Sequence, residues 1–295
     1  MKVGQCKYVI LTNQFGGILN DPVMLKVEED CYWFSLADSD ILFWAQGLNV
    51  HLKYDVEITE PDVSPIQLQG PKSKDIMVKI FGNEILELKY YWFKKFKLGN
   101  INLLISRTGW SSEFGYEMFL LKTSDGDELY ETLMQEGKDL GLHPGHTSTI
   151  RRIEGGMLSY HSDMDINTNP FELGLDKFID LEKSFDFVGK DALIKIKKLG
   201  IQRKQVGLII ECEKLKGPNT KKWGIFKNQQ RIGQVTSAVY SPRLEQNIAL
   251  AMVDIEYSDI NTSLKIKIDD NLVDAKITVK PFFDPNKLIA KKSSI

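Results

Sequence analysis

The stretch Ser106-Arg107-Thr108-Gly109-Trp110-Ser111-Ser112-Glu113-Phe114-Gly115-Tyr116-Glu117 is the part of the chain that says most about its fold. Strands are predicted on both sides of it, at 101–105 and 116–121, because apolar residues recur there with strand-like spacing. An amphipathic helix is predicted over 125–140, where apolar residues recur at helical spacing. The middle of the chain is therefore predicted to combine strands and helices in an α+β arrangement.

The N-terminal part continues this mixture. Short apolar runs predict further strands at 8–11, 23–25, 32–34, 56–58, 66–68 and 90–93. A helix is predicted from residue 41, with Asp38 or Ser39 as its N-cap. Other helices are predicted after Gly70-Pro71, over 149–158, and from Ala192 onward.

The C-terminal part has a different pattern of predicted secondary structure. Short strand candidates follow one another with turn residues between them and no long helix, at 205–211, 223–226, 235–238, 248–253, 264–268 and 275–279. Six short strands at this spacing predict a small β-barrel or sandwich. We therefore predict an α+β region over 1–197 and a barrel domain over 198–295.

Composition and charge limit the functions open to the chain. Its 295 residues are 42% hydrophobic and 26% charged, an ordinary globular balance. A net charge of −2 provides no overall basic field for nucleic acid or an anionic membrane. Three cysteines without CxxC spacing, and no apolar N-terminal run, favour a reducing cytoplasm. P-loop, GxGxxG, GxSxG and HExxH motifs do not occur, and no metal is expected.

Two features suggest a binding site by residue type alone. In the segment 16–22, Gly-Gly-Ile-Leu-Asn-Asp-Pro, two glycines permit close backbone approach and Asp21 ends the turn. An ordinary Asx-type turn also explains this segment. Aromatic residues are the second feature, and they either form core or hold a flat heteroaromatic ligand or a cation; they include Trp33, Tyr90, Trp92 and Trp110.

Spaced motifs along the whole chain carry a family resemblance. In order they are Gly16–Asp21, Gln69-Gly70-Pro71-Lys72, Ser106–Glu117, Arg152-Ile153-Glu154, the 163–175 segment ending Asn-Pro-Phe-Glu-Leu-Gly-Leu, Asp186–Leu193 and Lys280-Pro281-Phe282-Phe283. Together they resemble the T-protein (aminomethyltransferase) family of tetrahydrofolate enzymes. The resemblance implies a cloverleaf fold with a C-terminal barrel, and tetrahydrofolate as co-substrate.

The resemblance also implies roles for single residues. Asp21 matches the family's aspartate beside folate N5 and is expected to be the catalytic or positioning acid. Glu117 matches the glutamate that grips the amino edge of the pterin, where a carboxylate can accept two parallel N–H bonds. Trp110 and Tyr90 are expected to contribute to the cofactor site.

Departures from the aminomethyltransferase pattern point to one branch of the family. Trp110 stands where that pattern has tyrosine, Ser148 where it has a folate-site arginine, Met157 where it has tyrosine, and Asn20 where it has aspartate. These departures, with the 37–40 and 89–93 segments, resemble the dimethylsulfoniopropionate demethylases. That branch implies methyl transfer from a sulfonium to folate N5, with Trp33, Trp92 and Trp110 contacting the cation through their π-faces.

Alternatives stay open at the level of the sequence. A relative using an aminomethyl or N-methyl amine donor is one, and a non-catalytic folate-binding protein is another. A small-molecule substrate is the expected partner, with a homodimer as an open option. The family resemblance implies additional chain before the part that matches Lys2–Tyr8, so the first domain is expected to be incomplete.

Overall fold

The computed structural model describes residues 1–36 and 40–292, which fold into two compact units. The first unit comprises Met1–Tyr8, Pro22–Thr147 and the chain from Leu288 onward. The second comprises Val9–Asp21 and Ser148–Lys287. The cap predicted at Asp38 or Ser39, and most of the 37–40 segment, lie outside the described residues. The domain boundary between 197 and 198 stays a prediction.

Strands and short helices alternate along the described chain. The strands are β1 (Cys6–Tyr8), β2 (Leu11–Thr12), β3 (Ile18–Asn20), β4 (Val23–Glu28), β5 (Cys31–Ser35), β6 (Ser64–Gln69), β7 (Phe93–Leu98), β8 (Ile101–Ser106), β9 (Gly115–Leu120), β10 (Arg203–Glu211), β11 (Trp223–Lys227), β12 (Gln230–Ser241), β13 (Gln246–Asp254), β14 (Ser263–Ile268) and β15 (Asn271–Thr278). The helices are α1 (Ile41–Leu52), α2 (Ser73–Phe81), α3 (Gly126–Gly137), α4 (Thr149–Glu154), α5 (Lys190–Leu199) and α6 (Leu288–Lys291). Among these helices, none is long and apolar enough to cross a membrane.

The first unit is built on an antiparallel sheet with strand order β6-β9-β8-β7. Successive side chains of a strand point to opposite faces, so the sheet presents two different surfaces. One surface carries Leu103, Ile105 and Met118, which belong to a buried cluster shared with helices α2 and α3. The helices contribute Ile76, Met77, Leu129 and Leu133 to this cluster.

The opposite surface of this sheet positions the candidate site. Leu104 and Phe119 lie on it and form a second cluster with Cys6 of β1 and Leu25 of β4. Strands β1, β4 and β5 form a three-stranded sheet of order β1-β4-β5. Glu117 is two residues from Phe119 on β9, so its side chain points to this same surface.

The second unit contains the barrel. All six strands predicted from the C-terminal sequence are confirmed, and they close in the order β10-β13-β12-β11-β14-β15. Val206, Leu208 and Ile210 alternate along β10 into the buried cluster of the barrel. At Gly233 the strands approach closely, since an added Cβ would lie 2.2 Å from the carbonyl oxygen of Met252.

Three sequence predictions of local structure are corrected. The strand predicted at 56–58 is wrong: Val56 is 57% exposed, and the Ile58 carbonyl accepts from Gln46 Nε2 at 2.9 Å instead of pairing with a strand. The strand predicted at 90–93 begins only at Phe93, because Tyr91 adopts a φ of 61°. The helix predicted over 149–158 ends at Glu154, before Gly156 turns the chain with a φ of 63°.

Candidate functional site

Glu117 lies in the middle of the first unit's sheet, between Gln67 on β6 and Ser106 on β8. It is 7% exposed, and Gln67 Nε2 donates to its Oε1 at 2.8 Å. The Thr108 hydroxyl donates to its other oxygen, Oε2, in a short contact. These two partners, in the part of the chain that the structure describes, are neutral groups.

Burial dominates the electrostatics around Glu117. Desolvation raises the pKa of its carboxyl, while the hydrogen bonds from Thr108 and Gln67 act in the opposite direction. The nearby Cys6 thiol has its pKa raised by burial and further by the charge of Glu117. A buried carboxylate of this kind has lone pairs that suit a planar ligand offering paired N–H donors.

Several residues of the motif at 106–117 stabilise the loop instead of lining the polar site. Arg107 is buried, donates from Nε to the Gly115 carbonyl at 3.0 Å and from Nη2 to the Ala290 carbonyl at 2.7 Å, and stacks 3.7 Å from the Phe114 ring centroid. Gly115 is required because an added Cβ would lie 2.6 Å from the carbonyl oxygen of Leu68, and a Cβ at Gly109 would displace the amide of Gln69, 2.4 Å away. Arg107 therefore supports the loop, while Thr108 and Glu117 form the polar site.

The predicted aromatic residues do not form one group. Trp33 on β5 packs against the cluster of Leu104 and Phe119, whereas Trp92 packs against the helix-side cluster. Trp110 is half-buried in the loop between β8 and β9. Tyr90 is half-buried, and burial raises the pKa of its hydroxyl while Arg107 acts to lower it. The binding roles of these four residues stay predictions.

In the second unit, the double-glycine turn is a closely packed structure. Asn13 Oδ1 accepts from the Phe15 nitrogen at 2.9 Å, which is an Asx-type turn, and also from the Gly17 nitrogen at 2.9 Å. An added Cβ on Gly17 would lie 1.8 Å from the carbonyl oxygen of Ile166, which explains the glycine. Asp21 follows β3, and its nitrogen donates to Asn20 Oδ1 at 2.9 Å. The catalytic role of Asp21 stays a prediction.

Tyr160, a residue near Asp21, was not singled out from the sequence. Burial raises the pKa of the Tyr160 hydroxyl, and the charges of Asp165 and Asp21 raise it further. Tyr160 Oη donates to the carbonyl of Ile18, in the strand that leads to Asp21, at 3.2 Å. Sequence reasoning could have found Tyr160 from its position three residues before the Asp163-Met164-Asp165 motif.

The family resemblance predicts that Ser148 replaces an arginine of the aminomethyltransferase pattern and that Met157 replaces a tyrosine. Ser148 is the N-cap of α4 and accepts from the Arg151 nitrogen at 3.3 Å. The Met157 nitrogen donates to the Arg152 carbonyl at 2.7 Å, just after the helix. Ser148 therefore has no positive charge to offer, and Met157 has no hydroxyl group.

Comparisons with known proteins extend over nearly the whole chain. Residues 1–183 match the GCVT N-terminal domain family, and residues 203–284 match the glycine cleavage T-protein C-terminal barrel domain. A dimethylsulfoniopropionate demethylase (DmdA) of Ruegeria pomeroyi is 36% identical over 95% of this chain and 75% of that protein. An aminomethyltransferase of Alkaliphilus metalliredigens is 31% identical over 97% of this chain and 78% of that protein.

A solved structure supports the fold independently of close sequence identity. The glycine cleavage system aminomethyltransferase T of Bartonella henselae matches with a TM-score of 0.80, over 97% of this chain and 78% of that chain, at 22% identity. The expected T-protein fold with its C-terminal barrel is thereby confirmed. By its two domains and by relatives above 30% identity at nearly full coverage, the chain belongs to the tetrahydrofolate-dependent T-protein (aminomethyltransferase) family.

Proposed function

We propose that this protein transfers a methyl group from dimethylsulfoniopropionate to N5 of tetrahydrofolate, yielding methylthiopropionate and 5-methyltetrahydrofolate. One observation carries the choice of donor: Ser148 serves as a helix N-cap, and the family resemblance assigns its position to the folate-site arginine of the aminomethyltransferase pattern. The 36% identity to a dimethylsulfoniopropionate demethylase supports the same choice.

Glu117 is our candidate for holding the pterin. Among the described residues, the hydrogen bonds to its buried carboxyl come from Thr108 and Gln67, so it retains acceptor capacity, and burial raises its pKa. The 2-amino-pyrimidinone edge of a pterin offers two parallel N–H donors, which a carboxylate can accept as a bidentate pair. The residues present therefore fit the pterin ring.

In the proposed reaction the main task of the protein is to align the methyl donor with folate N5. Bound tetrahydrofolate supplies a nucleophilic nitrogen: the new N5–C bond forms as the C–S bond breaks, the electron pair stays on the thioether sulfur, and the N5 proton is released. Holding donor and acceptor in line can contribute roughly 7–11 kcal/mol to lowering the barrier. Asp21 is our candidate either for balancing the sulfonium charge or for taking up the released proton.

The proposal is tested by supplying the purified chain with tetrahydrofolate and dimethylsulfoniopropionate under anaerobic conditions. We expect 5-methyltetrahydrofolate and methylthiopropionate in equal amounts, quantified by mass spectrometry. Parallel reactions contain either an N-methyl amine, whose methyl transfer would yield 5-methyltetrahydrofolate and the demethylated amine, or an aminomethyl-loaded lipoyl protein, which would yield 5,10-methylenetetrahydrofolate and ammonia. Product only in those parallel reactions would reassign the donor, and tetrahydrofolate binding without any product would mean a non-catalytic folate-binding protein.

Replacing Trp110 by leucine should raise the KM for dimethylsulfoniopropionate about 2- to 30-fold, the equivalent of one cation–π contact of roughly 0.5–2 kcal/mol. Trp110→Phe keeps a π-face and serves as the matched control, with a KM close to that of the wild type. Initial rates at varied donor with saturating tetrahydrofolate, and at varied tetrahydrofolate with saturating donor, give the two KM values. If both variants raise only the KM for tetrahydrofolate, Trp110 contacts the pterin and not the sulfonium.

A further inference from the structure

The loop of residues 159–168, here called the clamp loop, grips strand β3 just before Asp21. Tyr160 Oη donates to the carbonyl oxygen of Ile18 at 3.2 Å, and the Ile18 nitrogen donates to the carbonyl oxygen of Thr168 at 2.9 Å. Both backbone polar groups of Ile18 are thus bound by the same loop. Ile18 is three residues before Asp21, with no glycine between them to absorb a shift.

The clamp loop also holds the turn that precedes β3. Asn13 Nδ2 donates to the carbonyl oxygen of Ile166 at 3.3 Å. That same oxygen lies so near Gly17 that only glycine fits the position. The segment leading to Asp21 is therefore held by the clamp loop at its turn and again at its strand.

The clamp loop is itself anchored by a buried ion pair. The side chain of Asp163 is fully buried, and its Oδ2 accepts from Arg152 Nη1 at 2.8 Å and from the Ser159 nitrogen at 2.9 Å. Its Oδ1 accepts from Ser237 Oγ at 2.7 Å and from Thr236 Oγ1 at 2.5 Å, both on barrel strand β12. A buried charge with this many partners has little freedom to move. The barrel thereby fixes the loop that fixes β3.

We infer that Tyr160 is a positioning residue for Asp21. Its hydroxyl holds the carbonyl of Ile18, the first residue of β3, and β3 leads directly to Asp21. This inference rests on the proposed function, because it takes Asp21 to act in the transfer. Burial and the charges of Asp165 and Asp21 raise the pKa of the Tyr160 hydroxyl, so it stays protonated and remains a donor at neutral pH.

A double-mutant cycle separates this positioning role from a merely structural one. Tyr160→Phe keeps the ring and its packing against His161, and removes only the hydroxyl. We expect it to lower kcat about 10-fold, since small misplacements of reacting groups are costly, with both KM values little changed. In an Asp21→Asn background the same substitution should have almost no further effect. Tyr130→Phe removes a hydroxyl from an exposed position on α3 and is the control.

The outcomes distinguish a failure of the positioning role from a failure of the proposed function. An equal loss from Tyr160→Phe in both backgrounds, or a change in KM without a change in kcat, would overturn the positioning role. If the wild type transfers no methyl group from dimethylsulfoniopropionate, the proposed function fails, and amide hydrogen exchange then tests the inference. Exchange at Ile18 and Asp21 should accelerate about 5- to 10-fold in Tyr160→Phe and not in Tyr130→Phe. Unchanged exchange at these amides would also overturn it.

Discussion

Asp21→Asn is expected to lower kcat for methyl transfer about 10²- to 10⁴-fold, the range typical for loss of a positioned acid or base. Asparagine nearly preserves the shape of the side chain, and Asn13 and the clamp loop provide hydrogen bonds that hold the turn in the variant as well. The dissociation constant for tetrahydrofolate should therefore change little. Steady-state rates and equilibrium binding provide the two measurements.

The same variant distinguishes the two roles considered for Asp21. If the carboxylate balances the sulfonium charge, the KM for the cationic donor should rise along with the fall in kcat. If it takes up the N5 proton, the effect should fall on kcat alone, and the pH dependence of kcat should flatten. Asp259→Asn, an exposed change in the second unit, is the matched control. Full turnover by Asp21→Asn would remove this residue from the mechanism.

Glu117→Gln is expected to weaken tetrahydrofolate binding about 10- to 200-fold, as one charge-assisted hydrogen-bonding group contributes roughly 1.5–3 kcal/mol. The introduced carboxamide keeps the volume of the side chain and still accepts from Gln67, but it loses one acceptor position and the negative charge. Fluorescence or calorimetric titration with tetrahydrofolate measures the loss. Glu131→Gln on the exposed side of α3 should bind normally.

Glu117→Gln should stabilise the ligand-free fold although it weakens tetrahydrofolate binding. Because burial raises the pKa of Glu117, the folded state binds a proton there more readily than the unfolded state. Its contribution to the free energy of unfolding therefore falls as pH rises above the ordinary carboxyl range. Glu117→Gln removes this dependence, so the ligand-free variant should melt higher than the wild type at neutral pH, with the difference shrinking in acid. A lower melting temperature at neutral pH would contradict a desolvated Glu117.

Sequence patterns predicted the elements whose burial follows a local period. Along β10, Val206, Leu208 and Ile210 alternate into the barrel, and Leu129 and Leu133 of α3 share a buried face. These spacings reflect the geometry of one strand or one helix, so they can be read without a partner. The strand predicted at 56–58 failed because a short apolar run is a strand only if another strand accepts its hydrogen bonds.

The candidate site was less accessible to sequence reasoning. The family motif identified Glu117 and Asp21, but it did not separate Arg107, which supports the loop, from Thr108, which donates to Glu117. Gln67 was read only as part of a strand, although its amide hydrogen-bonds Glu117. Neighbouring residues such as Arg107 and Thr108 thus have different roles, because the tertiary structure places different groups opposite them.

By itself, the sequence determined the α+β character of the chain, the six barrel strands, the T-protein family and the motif that ends at Glu117. Only the tertiary structure decided that Glu117 is buried among neutral partners, and that Tyr160 reaches Ile18 across 142 positions of the chain. The physical reason is that periodicity and turn chemistry are local properties of the backbone. The pKa of a buried carboxyl and the partner of a hydroxyl depend instead on groups that meet only when distant strands and loops pack together.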